Sequence, residues 1–214
     1  MPDAPQTGTP LSVWDDALLA ARLIANDPVR LGGVHVRARC GPVLDAWLDA
    51  LRGMLRASAT GATGATGAPG VTSAPGAPAI RFPAPSPADR LVGGMDIGAT
   101  LECGRPVLSP GVLAAADGGI LILTMAERTP ATSAAIIGAA LDDRSIRIET
   151  NGLSRRVKTR LAVIALDEGA EPDETIPAAL GERLGMRLDL HSVSWREALD
   201  TPSDLPVGAP LLDP

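Results

Sequence analysis

The chain has 214 residues, enough for one α/β domain with a sizeable core and too few for two large ones. Its net charge of −6 and isoelectric point near 4.9 exclude the basic face that non-specific nucleic-acid binding requires. Hydrophobic residues make up 45% but aromatics only 2%, with no Tyr and a single Phe, Phe82, so the core must be aliphatic. Such a core suits helices packed on a parallel sheet, whose buried strands read as continuous aliphatic runs.

Cys40 and Cys103 stand far apart, without CxxC spacing, and read as free thiols of a reducing compartment rather than zinc ligands. The opening MPDAPQTGTP has neither the basic nor the apolar region of a signal peptide. No stretch reaches the roughly 18 apolar residues of a membrane span. The expectation is a cytoplasmic protein.

Residues 1–10 form a Pro-rich leader. From Leu11 to Asn26 the apolar positions Val13, Leu18, Leu19, Leu23 and Ile24 can share one helical face, with Ser12 as N-cap and Asp27-Pro28 as the stop. Gly32-Gly33 opens a short strand, Val34 to Val36, followed by a loop from Arg37 to Pro42 and a second helix from Val43 to Leu55. Residues 57–79 are low-complexity, with GAT triplets at 61–63 and 64–66 shifting to Gly67-Ala68-Pro69, and read as a linker-like insertion. Order returns at Ile80 to Pro83. Leu91 to Gly104 reads as loop and short helix, and Gly111 to Ala116 as a further helical piece. Ile120 to Leu123 is the clearest buried strand, and Thr132 to Leu141 an Ala/Ile-rich helix. Ser145 to Thr150 alternates and runs into Asn151-Gly152, a hairpin signal. Leu161 to Leu166 is a second buried strand, Ile176 to Leu184 a helix, Met186 to Val193 a last strand, and 200–214 a Pro-rich tail. Strands alternating with helices predict one α/β domain over 11–199 with a parallel sheet flanked by helices.

The strand–loop–helix at 34–55 has the layout of a phosphate-binding loop. A working GxxxxGK[ST] loop needs glycines to wrap the phosphates, Lys to neutralise them and a hydroxyl for Mg²⁺. Here the frame runs Ala38, Arg39, Cys40, Gly41, Pro42, Val43, Leu44, Asp45. Only Gly41 remains, inside the variable stretch. Leu44 stands in the lysine slot and Asp45 in the hydroxyl slot. At about 4 Å and an effective dielectric near 20, two like charges repel by about 4 kcal/mol. By its chemistry this loop should bind triphosphate poorly; the plainer reading is an ordinary βα unit. In P-loop ATPases a second buried strand ends in Asp-Glu. Here Ile120 to Leu123 runs into Thr124-Met125, and Met125 cannot serve as a base.

The order of three segments resembles the magnesium chelatase family: Gly32 to Val36; Asp89-Arg90-Leu91-Val92-Gly93-Gly94-Met95-Asp96-Ile97; and Gly104-Arg105-Pro106 through Pro110-Gly111-Val112-Leu113 to Gly118-Gly119-Ile120-Leu121. Asn151-Gly152-Leu153-Ser154 and Leu180-Gly181-Glu182-Arg183-Leu184-Gly185 extend it, so that it spans 28–195 apart from the insertion. The resemblance implies an AAA+ P-loop-type sheet with a β-hairpin insertion. The losses at 38–45 and 124–125 resemble the family's D subunit rather than its ATPase, the I subunit. Implied in turn are no nucleotide bound and no ATP hydrolysed by this chain, ATP and Mg²⁺ being used by the complex. The implied partners are the I subunit, in a ring, and the porphyrin-binding H subunit, with insertion of Mg²⁺ into protoporphyrin IX as the reaction. The family's helical lid, acidic linker and integrin-I-type domain have no counterpart in the sequence, so the expectation is a fragment or truncated form of the AAA+ core. Two other readings stay open: an active AAA+ ATPase with an atypical site, and a regulatory module of a MoxR-like chaperone.

By the same resemblance Arg183 is the candidate arginine finger, acting on a neighbouring subunit's nucleotide; the plainer alternative is a surface arginine at a helix end. Arg155, Arg156, Lys158 and Arg160 read as a solvated strand face or a contact with an acidic neighbour. Asp142-Asp143 and Asp167-Glu168 read as loop charges, His35 and His191 as structural, and Trp14, Trp47 and Trp195 as packing residues near the core's rim. No metal site is expected.

Overall fold

The computed structural model describes residues 12–61, 78–150 and 153–200. The expected leader, most of the low-complexity insertion, the Asn151-Gly152 turn and the Pro-rich tail lie outside them.

Helix α1 (Val13–Asn26) starts where the capping chemistry dictates. Ser12 Oγ accepts from Asp15 N and Asp15 Oδ2 from Ser12 N, both at 3.1 Å. Asp27 ends α1 and caps a one-turn α2 (Pro28–Leu31), with Pro28 at the first position, where no N–H is needed. Strand β1 (Gly33–Arg37) follows, buried along its length. Gly33 is required there: it has φ +139, and a Cβ would lie 1.9 Å from the Val163 carbonyl oxygen. Gly33→Ala is expected to destabilise the chain by about 3 kcal/mol or more, read by chemical denaturation, because backbone strain and a wall of main chain act together.

Helix α3 (Pro42–Gly61) is longer than the expected 43–55 and takes up 57–61, the start of the low-complexity stretch. Alanines there favour helix once nucleated. Strand β2 (Ala79–Pro83) and a one-turn α4 (Asp89–Val92) lead to the expected short helix, flanked by two strands that the sequence did not announce. Strand β3 (Gly93–Met95), helix α5 (Ile97–Cys103) and antiparallel strand β4 (Leu108–Pro110) form a small β–α–β excursion. Its glycines let two backbones touch: a Cβ on Gly93 (φ +93) would meet Ser109 O and Gly111 N at 2.4 Å.

A short α6 (Val112–Ala115) precedes β5 (Ile120–Thr124), and α7 (Ala131–Asp143) follows a 3₁₀ turn at Ala126–Arg128. Strands β6 (Ser145–Thr150) and β7 (Leu153–Lys158) pair in the register Thr150↔Leu153, as a two-residue loop demands. Then come β8 (Ala162–Asp167), α8 (Ala178–Gly181), β9 (Met186–Asp189) and α9 (Trp195–Asp200). The expected helix 176–184 contracts to one turn between Pro177 and Gly185. The expected strand 186–193 contracts to four residues, because Asp189 turns the chain by accepting from His191 N at 3.0 Å.

Five strands form one parallel sheet in the order β2-β5-β8-β1-β9. Successive residues of β5 serve opposite faces: Ile120 and Ile122 pack with α1 and α3, Leu121 and Leu123 with the α7 side. Burial on both faces is why the run is wholly aliphatic. Trp14 and Trp47 sit deep in the core rather than at its rim, and Trp47 Nε1 donates to Ala17 O at 2.8 Å. Trp195 is 54% exposed, with Arg196 over its ring.

Candidate functional site

In an open α/β sheet, ligands bind beyond the carboxyl ends of the strands, where the chain path reverses. That point is β1, between β8 and β9. The loop after β1 is the predicted degenerate phosphate loop, and the structure closes it from three sides.

Ala38 is buried, and its N–H donates to Asp167 O at 3.0 Å rather than facing a ligand. Leu44, in the lysine slot, is buried in the core between sheet and helices. Val43 packs partly buried against the same cluster, and Asp45 is exposed in the first turn of α3. Gly41 has φ +150. The remaining hollow, lined by residues 38–43 with Leu190, His191 and Val193, holds about 150 Å³. Small-molecule sites usually begin at about 300 Å³.

The second strand end is Thr124-Met125. Thr124 ends β5 in register with Pro83, and Met125 adopts a left-handed φ of 53°. The first carboxylate beyond it, Glu127, is turned inward. Its side chain is 6% exposed, Oε2 accepts from Glu168 N at 3.0 Å, and Arg128 lies 3.4 Å from Oε1. It holds a loop in place of polarising a water.

Asp167 and Glu168 read from the sequence as loop charges; Glu168 does lie in the loop after β8, but Asp167 does not. Asp167 is the fully buried last residue of β8. His35 Nε2 lies 2.8 Å and Arg37 Nη1 3.3 Å from its Oδ2, and Gly169 N donates to Oδ1 at 3.0 Å. Arg37 also donates to Glu174 O at 2.8 Å and Glu171 O at 2.7 Å, so one guanidinium ties the 168–175 loop over the end of β1. Glu168 accepts from the Cys40 thiol at 2.9 Å, and that bond raises the Cys40 pKa above its ordinary value. A thiol so held is a poorer nucleophile. Burial lowers the His35 pKa, against the pull of Asp167. His35 is thus structural, as expected. His191, on the exposed side, lowers the Asp189 pKa by backbone and side-chain hydrogen bonds. The signal for this cluster was in the sequence: His35 and Arg37 share one face of a buried strand, and a buried charge needs a partner.

The residues at 38–45 and 124–125 therefore do not fit a nucleotide–magnesium group, and no chemical step runs through one here. Among the described residues no three His, Cys, Asp or Glu side chains cluster as metal ligands, and no helix is long and apolar enough to cross a membrane.

Arg183 lies at the other end of the sheet. It follows α8, and its carbonyl would be 2.6 Å from a Cβ on Gly32, just ahead of β1. Five strand residues, about 15 Å, separate that level from its own phosphate loop. Its Nε and Nη2 both lie 2.8 Å from Asp142 Oδ2, and Nη1 donates to Ala179 O. Asp142 is therefore the partner of Arg183 and not a loose loop charge. Arg155, Arg156 and Lys158 are exposed on β7, as a solvated face requires, while Arg160 pairs with Asp117 at 3.5 Å.

No family model matches the chain. The magnesium-chelatase 60 kDa subunit of Cereibacter sphaeroides is 36% identical over 195 residues, 91% of this chain, and that of Rhodobacter capsulatus is 34% identical over 188 residues, 87%. The chain spans 28% and 26% of those relatives' lengths. An uncharacterized Mycobacterium tuberculosis protein, Rv2850c, is 26% identical over 180 residues, 84% of this chain and 26% of that one. Among solved structures, a cryo-EM-based complex between subunits BchI and BchD of magnesium chelatase matches with TM-score 0.54 at 21% identity, covering 86% of this chain and 61% of that one. A crystal structure of a protein from Cytophaga hutchinsonii matches with TM-score 0.51 at 13% identity, covering 86% of this chain and 51% of that one. The parallel sheet, its flanking helices and the β6–β7 hairpin are the AAA+ P-loop-type fold that the resemblance implied. Over the nine-tenths of its length that these relatives match, the chain belongs to the family of the magnesium-chelatase 60 kDa subunit.

Proposed function

We propose that the chain is a non-hydrolysing AAA+ module of magnesium chelatase. It assembles with the ATPase I subunit and supports ATP-driven insertion of Mg²⁺ into protoporphyrin IX by the porphyrin-binding H subunit. The observation that carries this reading is the division between the two ends of the sheet. At one end the chain's own side chains occupy the phosphate loop: Leu44 in the core, Arg37 on Asp167, Glu127 on the Glu168 N–H. At the other end Arg183 stands beyond reach of that loop, partly exposed and paired with Asp142. A closed site and an arginine at the opposite end of the sheet suit a subunit that completes another's active site. The relatedness to two magnesium-chelatase 60 kDa subunits supports the same assignment.

The test is a titration of the isolated chain with ATP and Mg²⁺, beside a pull-down with an I subunit. Capture of the I subunit with no saturable ATP binding below millimolar concentration is the expected result. Tight, Mg²⁺-dependent ATP binding would overturn it.

A further inference from the structure

The β6–β7 hairpin stands outside the five-stranded sheet, and among the described residues β7 pairs with β6 alone. The phase of the ladder fixes what its free edge offers. Thr159 N donates to Arg144 O at 3.0 Å, one step beyond the Ser145↔Lys158 pair, so 144 and 159 form a hydrogen-bonded pair. Such pairs recur at every second position of an antiparallel ladder. Arg155 and Val157 therefore bond inward to β6. Ser154, Arg156 and Lys158 turn their N–H and C=O groups outward, to an edge that no described strand covers.

The side chains follow the same alternation. Ser145, Arg147, Glu149, Ser154, Arg156 and Lys158 share one face, opposite the buried Ile146 and Ile148. Arg147 stands directly across from Arg156 at a non-hydrogen-bonded position, where side chains come closest, and Lys158 follows about 7 Å along the strand. Glu149 answers Arg147 at 3.5 Å. Arg156 Nε donates to Ser145 Oγ at 2.8 Å, and neither Arg156 nor Lys158 has a carboxylate partner among the described residues. Like charges set opposite one another weaken a hairpin. A chain of net charge −6 thus gathers cations on one exposed edge.

Exposure alone fits a solvated face; the outward backbone groups add a way to bind. Cations on an edge strand keep two copies of that edge apart. The same cations admit a strand that carries carboxylates, where charge-assisted contacts add to main-chain hydrogen bonds. A nucleic acid would meet the repulsion of the chain's net negative charge beyond the hairpin. The stretches of this chain outside the described residues are poor in acid: 1–11 has Asp3, 62–77 has no carboxylate, and 201–214 has Asp204 and Asp213 among prolines. The complementary strand therefore belongs to another protein.

We infer that β7 is a docking edge for an extended acidic segment of a partner protein. The segment adds as a third strand on the outward groups of Ser154, Arg156 and Lys158, with alternate carboxylates set against Arg156 and Lys158. The contact is independent of the closed phosphate loop and needs no I subunit.

The deciding experiment is calorimetric titration of the chain, at low salt, with a short synthetic peptide alternating Glu and Thr, which puts every Glu on one face when extended. Saturable binding is expected, weakened at least about fivefold in Arg156→Gln, since hydrogen bonds to charged groups are worth that much. Arg81→Gln should leave it unchanged, because Arg81 is exposed on β2, the edge of the other sheet. Arg156→Gln relieves the opposition to Arg147 and should melt no lower than the unmodified chain, separating lost binding from lost fold. Amide hydrogen exchange at Ser154, Arg156 and Lys158 should slow on binding, while Arg155 and Val157, already bonded to β6, change little. A peptide of the same composition with its Glu in one block should bind several-fold more weakly. Equal binding by the block peptide, no slowing at those three amides, no saturable binding, or tighter binding of oligothymidylate than of the peptide overturns the proposal. Because the titration needs no partner subunit, failure to assemble with the I subunit would sink the proposed function and leave this result standing.

Discussion

Arg183→Ala is expected to lower ATP turnover by a mixture of this chain and an I subunit by at least about tenfold, because arginine fingers commonly contribute far more than that to phosphoryl transfer. The fold should survive. The Arg183–Asp142 pair is partly exposed on both sides, and such pairs contribute at most about 1 kcal/mol. The measurement is steady-state ATPase activity beside a thermal melt of each variant. Unchanged turnover would remove Arg183 from the mechanism. A Lys in its place should rescue poorly, since an ammonium cannot reproduce the planar two-point contact that Nε and Nη2 now make with Asp142. Gly138 supplies the space for this side chain: a Cβ there would stand 3.2 Å from Arg183 Cδ and Nε.

The second large effect concerns stability. Asp167→Ala should cost about 3–5 kcal/mol, because it leaves the Arg37 guanidinium buried without its counter-charge. In a domain of this size that lowers the melting temperature by roughly 10 °C. It also removes the anchor that keeps the 168–175 loop over the end of β1, so proteolysis within that loop should speed up. A loss below about 1 kcal/mol would mean that the carbonyls of Gly169, Glu171 and Glu174 alone satisfy Arg37.

His35 adds a pH dependence to the same cluster. Its folded-state pKa lies below the ordinary 6.5, chiefly through burial, with Arg187 and Arg37 adding repulsion against the pull of Asp167. A histidine depressed in this way binds fewer protons folded than unfolded. Its contribution is therefore complete above pH 6.5 and declines as pH falls from there towards the folded-state value. Denaturation midpoints measured down that range should fall, and His35→Gln should flatten the curve.

The sequence by itself determined the layers and the absence of the usual phosphate-loop residues. Continuous aliphatic runs at 120–123 and 161–166 specify strands buried on both faces, and two-residue alternation at 145–150 specifies a hairpin. The absent lysine and hydroxyl at 44 and 45 are matters of residue identity, legible without coordinates. Local patterns could not give the β3–α5–β4 excursion, because three-residue strands have too little length to show a period. Nor could they give α9, or the true extent of α3.

Only the tertiary structure decided what the charges do. Asp167 meets His35 and Arg37 across more than 120 residues, and Arg183 meets Asp142 across 41. Those pairings exist because parallel strands bring distant segments into register, and no sequence spacing encodes a contact that the sheet itself creates. The same register puts the closed phosphate loop at one end of β1 and Arg183 at the other.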